Sequence, residues 1–209
     1  MLGNLFASGR SQDVSTIPLF PLRTVLFPDG PLPLRIFEPR YLDMVSRCLR
    51  DDNPFGVLLL TAGAETGAAT GTATVGTLAR IADWYQGSDG LLGITALGTR
   101  RFRLRGIDRQ DNGLYVGRLE LLAAEPAVAL PERYLPLAEM LAAILDDLGK
   151  LYEELPRRLD DATWVGCRFA EIVPMSLEQR QQCLEFTDPI ERLEFVRPML
   201  RATRCETTQ

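Results

Sequence analysis

The chain has no histidine, and of its 23 basic residues Lys150 is the only lysine. Without imidazole there is no histidine triad, no histidine general base and no common metal-hydrolase site. Cysteine is sparse as well: Cys48, Cys167, Cys183 and Cys205 show no CxxC spacing, and with no His beside them they make a poor zinc ligand set. Buried or free thiols are expected. No apolar run approaches the roughly 18 residues that a membrane span needs. The N-terminal MLGNLFASGRSQD has no basic start followed by a long apolar stretch, so it does not read as a secretory signal. The expected compartment is therefore the cytoplasm, with no membrane partner. No GxxxxGK[ST] phosphate loop occurs, since Gly149-Lys150 is followed by Leu151, and no cofactor is expected.

What is present looks like an ordinary soluble globular chain. Its 209 residues are 46% hydrophobic and 24% charged, enough for one large domain or two small ones that bury roughly 70% of the unfolded surface. The net charge of -5 and pI near 4.9 argue against binding nucleic acid through bulk electrostatics, which needs clustered Lys and Arg.

The most distinctive stretch is Ile17 to Tyr41, IPLFPLRTVLFPDGPLPLRIFEPRY, which holds six of the 14 prolines. Pro18, Pro21, Pro28, Pro31 and Pro33 each remove a backbone donor and fix φ, which excludes one long helix or a central ladder strand. The pattern predicts two edge-like strands around a turn at Pro28-Asp29-Gly30-Pro31. Glu38-Pro39 then opens a helix, with Pro39 in its first turn. Tyr41, Met44, Val45, Cys48 and Leu49 fall on one side of that helix, and Asp51-Asp52-Asn53-Pro54 ends it. Phe55 to Leu60 reads as a buried strand, and the Ala/Gly/Thr-rich Thr61 to Thr74 as a mobile loop.

Farther on come strand-length pieces at Val75–Ile81, Leu91–Leu97, Arg100–Arg105 and Leu114–Leu122. Turn signals separate them at 87–90, Gly98-Thr99 and 111–113. These spacings predict antiparallel hairpins closing into a small barrel. A Pro-bearing joint, AAEPAVALPER, ends the strands, and beyond it the apolar period changes from 2 to 3.6. Tyr134, Leu137, Ala138, Leu141, Ile144, Leu145 and Leu148 mark an amphipathic helix, and Asp161 to Val173 is helical in composition. Ser176 with Gln179, and Asp188-Pro189 with Glu191, mark two more helix starts. The expected organisation is a flexible tail over 1–15, a strand-rich unit with one short helix over 16–123, a linker over 124–133 and helices over 134–209.

The opening stretch resembles the Lon N-terminal domain family, the substrate-binding domain at the front of ATP-dependent Lon proteases, also found as stand-alone proteins. Pro18, Leu19, Phe20, Pro21, Leu22, Phe27, Pro28, Leu34, Ile36, Phe37, Glu38, Arg40 and Tyr41 carry the likeness. Asp29 and Arg35 depart from it. Weaker matches follow at Val75–Ile81, Gly98–Phe102 and from Pro174 to Leu193. The resemblance implies an α+β fold: an N-terminal PUA-like pseudo β-barrel followed by a C-terminal α-helical bundle. It implies a non-catalytic module that captures exposed apolar segments in a groove between the two, without the ATPase and protease of full-length Lon. The implied partners are unfolded protein or peptide segments and a separate ATPase/protease.

Two surface features suit recognition. Arg101, Arg103 and Arg105 alternate with Phe102 and Leu104, so a strand turns three guanidinium groups to one face. That face reads as a docking ridge for an acidic partner or nucleic acid, or simply as a solvated outer barrel face. Trp84 and Tyr85 precede a Gly-rich turn and read as an exposed aromatic anchor or, with at least one ring inside, as core packing. No residue is assigned a catalytic role: the acidic pairs are sequence neighbours that point to different helix faces, and nothing pairs Lys150 with a particular Ser. The rival classes are an RNA-binding PUA-like protein reading phosphate through the arginines, and a hydrolase with an unrecognised site.

Overall fold

The computed structural model describes residues 15–65, 69–153 and 155–206; the tail expected over 1–15 lies outside them except for Ser15. Strands β1 (Ser15–Leu22), β2 (Pro31–Ile36), β3 (Phe55–Gly63), β4 (Ala69–Thr72), β5 (Val75–Gln86), β6 (Leu92–Arg109) and β7 (Tyr115–Leu121) precede most of the helix. Helix α1 (Pro39–Asp51) interrupts them. Helices α2 (Leu135–Asp147), α3 (Lys150–Glu153), α4 (Ala162–Ile172), α5 (Leu177–Glu185) and α6 (Pro189–Glu206) follow. The fold is thus mixed α+β.

The strands pair in the order β1-β7-β6-β5-β3-β4, and a further parallel pairing of β1 with β3 closes the first five into a ring. The other pairings are antiparallel, and β2 adds to β6 from outside that path. Leu19, Leu58, Phe102 and Leu119 form one of the buried clusters of this ring. A second core lies under α1, where Phe20 stacks on Tyr41 at 3.9 Å between centroids beside Met44, Val45 and Cys48. Glu38 precedes α1 in an extended conformation, and Pro39 starts the helix as expected.

The largest cluster joins strands to helices, packing Val25, Phe27, Leu59 and Val75 against Leu141, Trp164, Phe169 and Leu193. The 3.6 periodicity is legible here: α2 buries Ala138, Leu141 and Leu145. Asp161 caps α4 by accepting from Thr163 N, and Ser176 and Gln179 form the reciprocal capping box of α5. At α6, Ile190 N donates to Asp188 Oδ1.

Several local expectations need correction. Strand β1 is not an edge: it pairs β7 through Ser15–Leu19 and β3 through Leu19–Leu22. The two ladders are staggered, so Pro18 faces only β7 and Pro21 only β3, and each proline has a side on which its missing donor goes unnoticed. Leu49 is exposed, while Arg40 is buried and donates to Gly113 O at 3.0 Å. The loop expected over 61–74 contains the end of β3 and all of β4; residues 66–68 lie outside the described set. Gly98-Thr99 is not a turn. The register slips between Thr77↔Arg101 and Ala79↔Gly98, so Leu78 faces two residues, Thr99 and Arg100. This bulge bends one continuous β6 where two strands were expected. Gly98 is required there because a Cβ would strike the carbonyl of Phe27.

Candidate functional site

The first candidate surface is the β5–β6 hairpin end. Trp84 is 61% exposed and Tyr85 49% exposed, so neither ring packs in the core. The turn is fixed locally: Gly87 N donates to Leu91 O, Leu91 N donates to Asp89 Oδ1, and Gly90 takes φ of 79°. Asp89 also pairs with Arg35 of β2. Tyr85 is opposite Gly93 and its ring lies over that glycine, leaving no room for a Cβ. Packing across the strand thus holds the ring while leaving half of it open to solvent. Arg35 is the next residue in the same register, and Phe37, just past β2, is 55% exposed.

The arginine ridge divides. Phe102 is fully buried inward, as the alternation requires, and Arg103 and Arg105 are exposed. Arg101 is not exposed. Helix α5 ends over it, and its Nη1 donates to Leu184 O at 2.7 Å and Phe186 O at 2.8 Å. Its Nη2 lies 2.9 Å from Glu125 Oε1. Arg105 is engaged by Glu120, with Nε to Oε2 at 2.6 Å. A ridge of three free guanidinium groups does not exist, and the surface charge on which an RNA reading would rest shrinks accordingly.

Sequence reasoning missed the buried arginines of the helices. Arg192 of α6 is fully buried; it reaches the same Glu125 Oε1 at 2.8 Å and Cys183 O through Nε at 2.8 Å. Arg168 of α4, also fully buried, donates to the carbonyls of Pro28 and Asp29 and, at 2.8 Å, to Glu171 Oε1. The tip of the proline-rich turn is therefore clamped by a helix 140 residues away. One sequence signal existed: Arg168 falls in the apolar stripe Trp164, Val165, Phe169, and Arg192 adjoins Leu193 in the stripe with Val196. A charge on a buried stripe needs a partner.

Glu171 sits in a dry part of this clamp. Burial pushes its carboxyl up to about 7, although Arg168, Tyr152 and Arg180 oppose the shift and Asp29 adds to it. The carboxylate is held by Arg168 and lines none of the cavities described below, which makes it a structural group. Burial likewise pushes the thiols of Cys167 and Cys183 up to about 11, leaving them protonated and inert.

Cavities open along the seam between the strands and the helices. One, of about 520 Å³, is walled by Arg80, Leu97, Arg100, Leu155, Pro156 and Arg158 above Asp29. It shares Asp29, Thr99, Arg100 and Arg158 with a neighbouring cavity of about 200 Å³ that reaches Arg101, Glu125 and Trp164. The bulge at Thr99–Arg100 explains why consecutive residues Arg100 and Arg101 both face this second cavity, which a regular strand forbids. Trp84 is nine residues along β5 from Val75, where α5 packs through a Gln181–Val75 O bond of 3.0 Å. Arg80, which lines the first cavity, is only four residues from Trp84 on β5, so at strand rise the hairpin end and that cavity are roughly 13 Å of chain apart.

With this architecture in view, residues 16–202 match the family model described as the ATP-dependent protease La (LON) substrate-binding domain. The chain belongs to the LON substrate-binding domain family. A solved relative, the Lon N-terminal domain protein from Xanthomonas campestris, is 39% identical; the match covers 87% of this chain and 96% of that one, with a TM-score of 0.71. The Lon protease of Anaeromyxobacter dehalogenans (strain 2CP-C) is 25% identical over 91% of this chain but only 23% of its own length. Protein cereblon of Danio rerio is 31% identical over 60% of this chain and 28% of its own length. The chain thus spans about a quarter of the curated relatives it matches. No helix among the described residues is long and apolar enough to cross a membrane.

Proposed function

We propose that this LON-family chain is a non-catalytic recognition module that binds exposed apolar segments of unfolded protein in the cytoplasm and delivers them to a separate ATPase/protease. The strand ring is read as a PUA-like pseudo-barrel over 16–123, joined by 124–133 to a helical bundle over 134–209. The observation that carries the proposal is the pair Trp84 and Tyr85, two large rings left open to solvent on a hairpin whose backbone is fixed by its turn. Rings held this way bind apolar side chains at little entropic cost. The seam is a poorer place for apolar capture, because Arg80, Arg100, Arg158 and Asp29 line it.

The test is a titration of a fluorophore-labelled, reduced, alkylated, permanently unfolded protein, followed by the label's anisotropy. Of the chain's two tryptophans, Trp84 is exposed and Trp164 buried, so Trp84→Ala alters the hairpin surface and leaves the core ring in place. Saturable binding is expected, weakened about 30-fold by Trp84→Ala, the scale of an interface hot spot. Absence of saturable binding, or full binding by the Trp84→Ala/Tyr85→Ala variant, overturns the proposal.

A further inference from the structure

The seam holds a second site of different chemistry. Arg80 of β5, Arg100 of the β6 bulge and Arg158 of the segment before α4 all line the 520 Å³ cavity. Arg158 is engaged by Asp29. Arg100 donates one bond, 3.1 Å to Leu122 O, and has no carboxylate partner among the described residues; Arg80 has none either. Three guanidinium groups thus face one carboxylate across the cavity, an excess of two positive charges in a chain whose net charge is -5. Elsewhere in the seam the arginines are buried and engaged: Arg101 and Arg192 share Glu125 and bond to backbone carbonyls, and Arg168 holds Glu171.

We infer that this cavity, between β5, the β6 bulge and the segment before α4, is a carboxylate-binding subsite for an acidic stretch of a bound protein segment, with Arg80 and Arg100 as its ligand-contacting residues. The inference rests on the reading of the chain as a protein-recognition module. Guanidinium groups suit carboxylates because their N–H forks match two oxygens at once. Leu97, Leu155 and Pro156 line the same walls, giving apolar side chains next to an acidic residue a surface to lie on. A peptide is favoured over a nucleic acid because the chain carries a net charge of -5, which repels a continuous phosphate backbone. Arg80 and Arg100 are exposed and free of carboxylate partners, so removing them leaves the buried network intact.

The experiment is a fluorescence-anisotropy titration of the full chain with a labelled peptide alternating Asp and Leu, its Asn/Leu counterpart, and an oligouridylate. The Asp/Leu peptide is expected to bind about tenfold or more tighter than the Asn/Leu peptide, the scale of one charge-assisted hydrogen bond. Arg80→Ala/Arg100→Ala is expected to erase that difference, Arg100→Lys to erase part of it, and raised salt to narrow it. Binding of the unfolded client through Trp84 should not change in the double variant. Equal binding of the two peptides, or an acidic preference that survives the double variant, overturns the subsite. Tighter, arginine-dependent binding of oligouridylate overturns it in favour of nucleic acid. If the unfolded client binds through Trp84 and the acidic peptide shows no preference, only this inference falls; if neither binds, the recognition reading falls with it.

Discussion

Arg100 and Arg101 are neighbours in β6, yet they belong to two different environments. Arg101 lies beneath the end of α5, bonded to two carbonyls and to a glutamate shared with Arg192. Arg100 stands in an open cavity with one carbonyl bond. The closed end of the seam uses arginine as a strut, where each guanidinium satisfies the carbonyl ends of chain segments that would otherwise be buried without partners. The open end leaves the same group exposed and available. The difference teaches that residue type and strand position do not set an arginine's role here; the helix laid over it does.

That contrast has measurable consequences. The largest effect is expected for Glu125→Ala, which leaves Arg101 and Arg192 buried together without their shared carboxylate and should lower unfolding free energy by about 3–5 kcal/mol in a denaturant titration. A cost below about 1 kcal/mol would mean that the closed end is no more integral than the open one.

Next comes Glu171→Gln. The folded chain holds the Glu171 proton at about 7 against an ordinary value of 4.5, so this group's contribution to stability is complete below 4.5 and lost as pH rises through 7. The charged and titratable groups facing it are Arg168, Tyr152, Arg180 and Asp29. The variant should therefore flatten the fall in stability across that window and be relatively more stable above it, as read from unfolding midpoints at stepped pH. An unchanged slope would show that the clamp on the proline-rich turn does not sense the proton.

A smaller effect is expected at the start of α5, the helix that covers Arg101. Ser176→Ala removes one half of the capping box and should cost about 1 kcal/mol. Hydrogen exchange should rise in α5 before the strand ring. The smallest effect belongs to the open end: Arg80→Ala or Arg100→Ala should change stability by less than about 0.5 kcal/mol, with their consequence confined to acidic-peptide binding.

Much of the molecule was legible before any coordinates. Pro39 at a helix start, the helical composition from Asp161 to Val173, the Ser176–Gln179 box and the change of period after residue 133 are local signals, and each corresponds to an observed element. Other features depended on distant chain. Pro18 and Pro21 argued for an edge, but the staggered approach of β7 and β3 supplied a way to pair β1 on both sides. Gly98-Thr99 has the composition of a turn, yet Phe27, Asp29 and Gly30 pack and bond against it and hold it as a bulge. Of the residues singled out for recognition, Trp84 and Tyr85 are open to solvent, Arg103 and Arg105 lie on the surface, and Arg101 is enclosed.

By itself the sequence determined that strands precede helices, where most helices start and the family, because caps, prolines and apolar periods act over a few residues. Only the tertiary structure decided which arginines are struts and which are free. A guanidinium carries the same charge wherever it stands, and its neighbours across 67 to 140 residues of chain settle whether that charge is spent on the fold or left for a ligand.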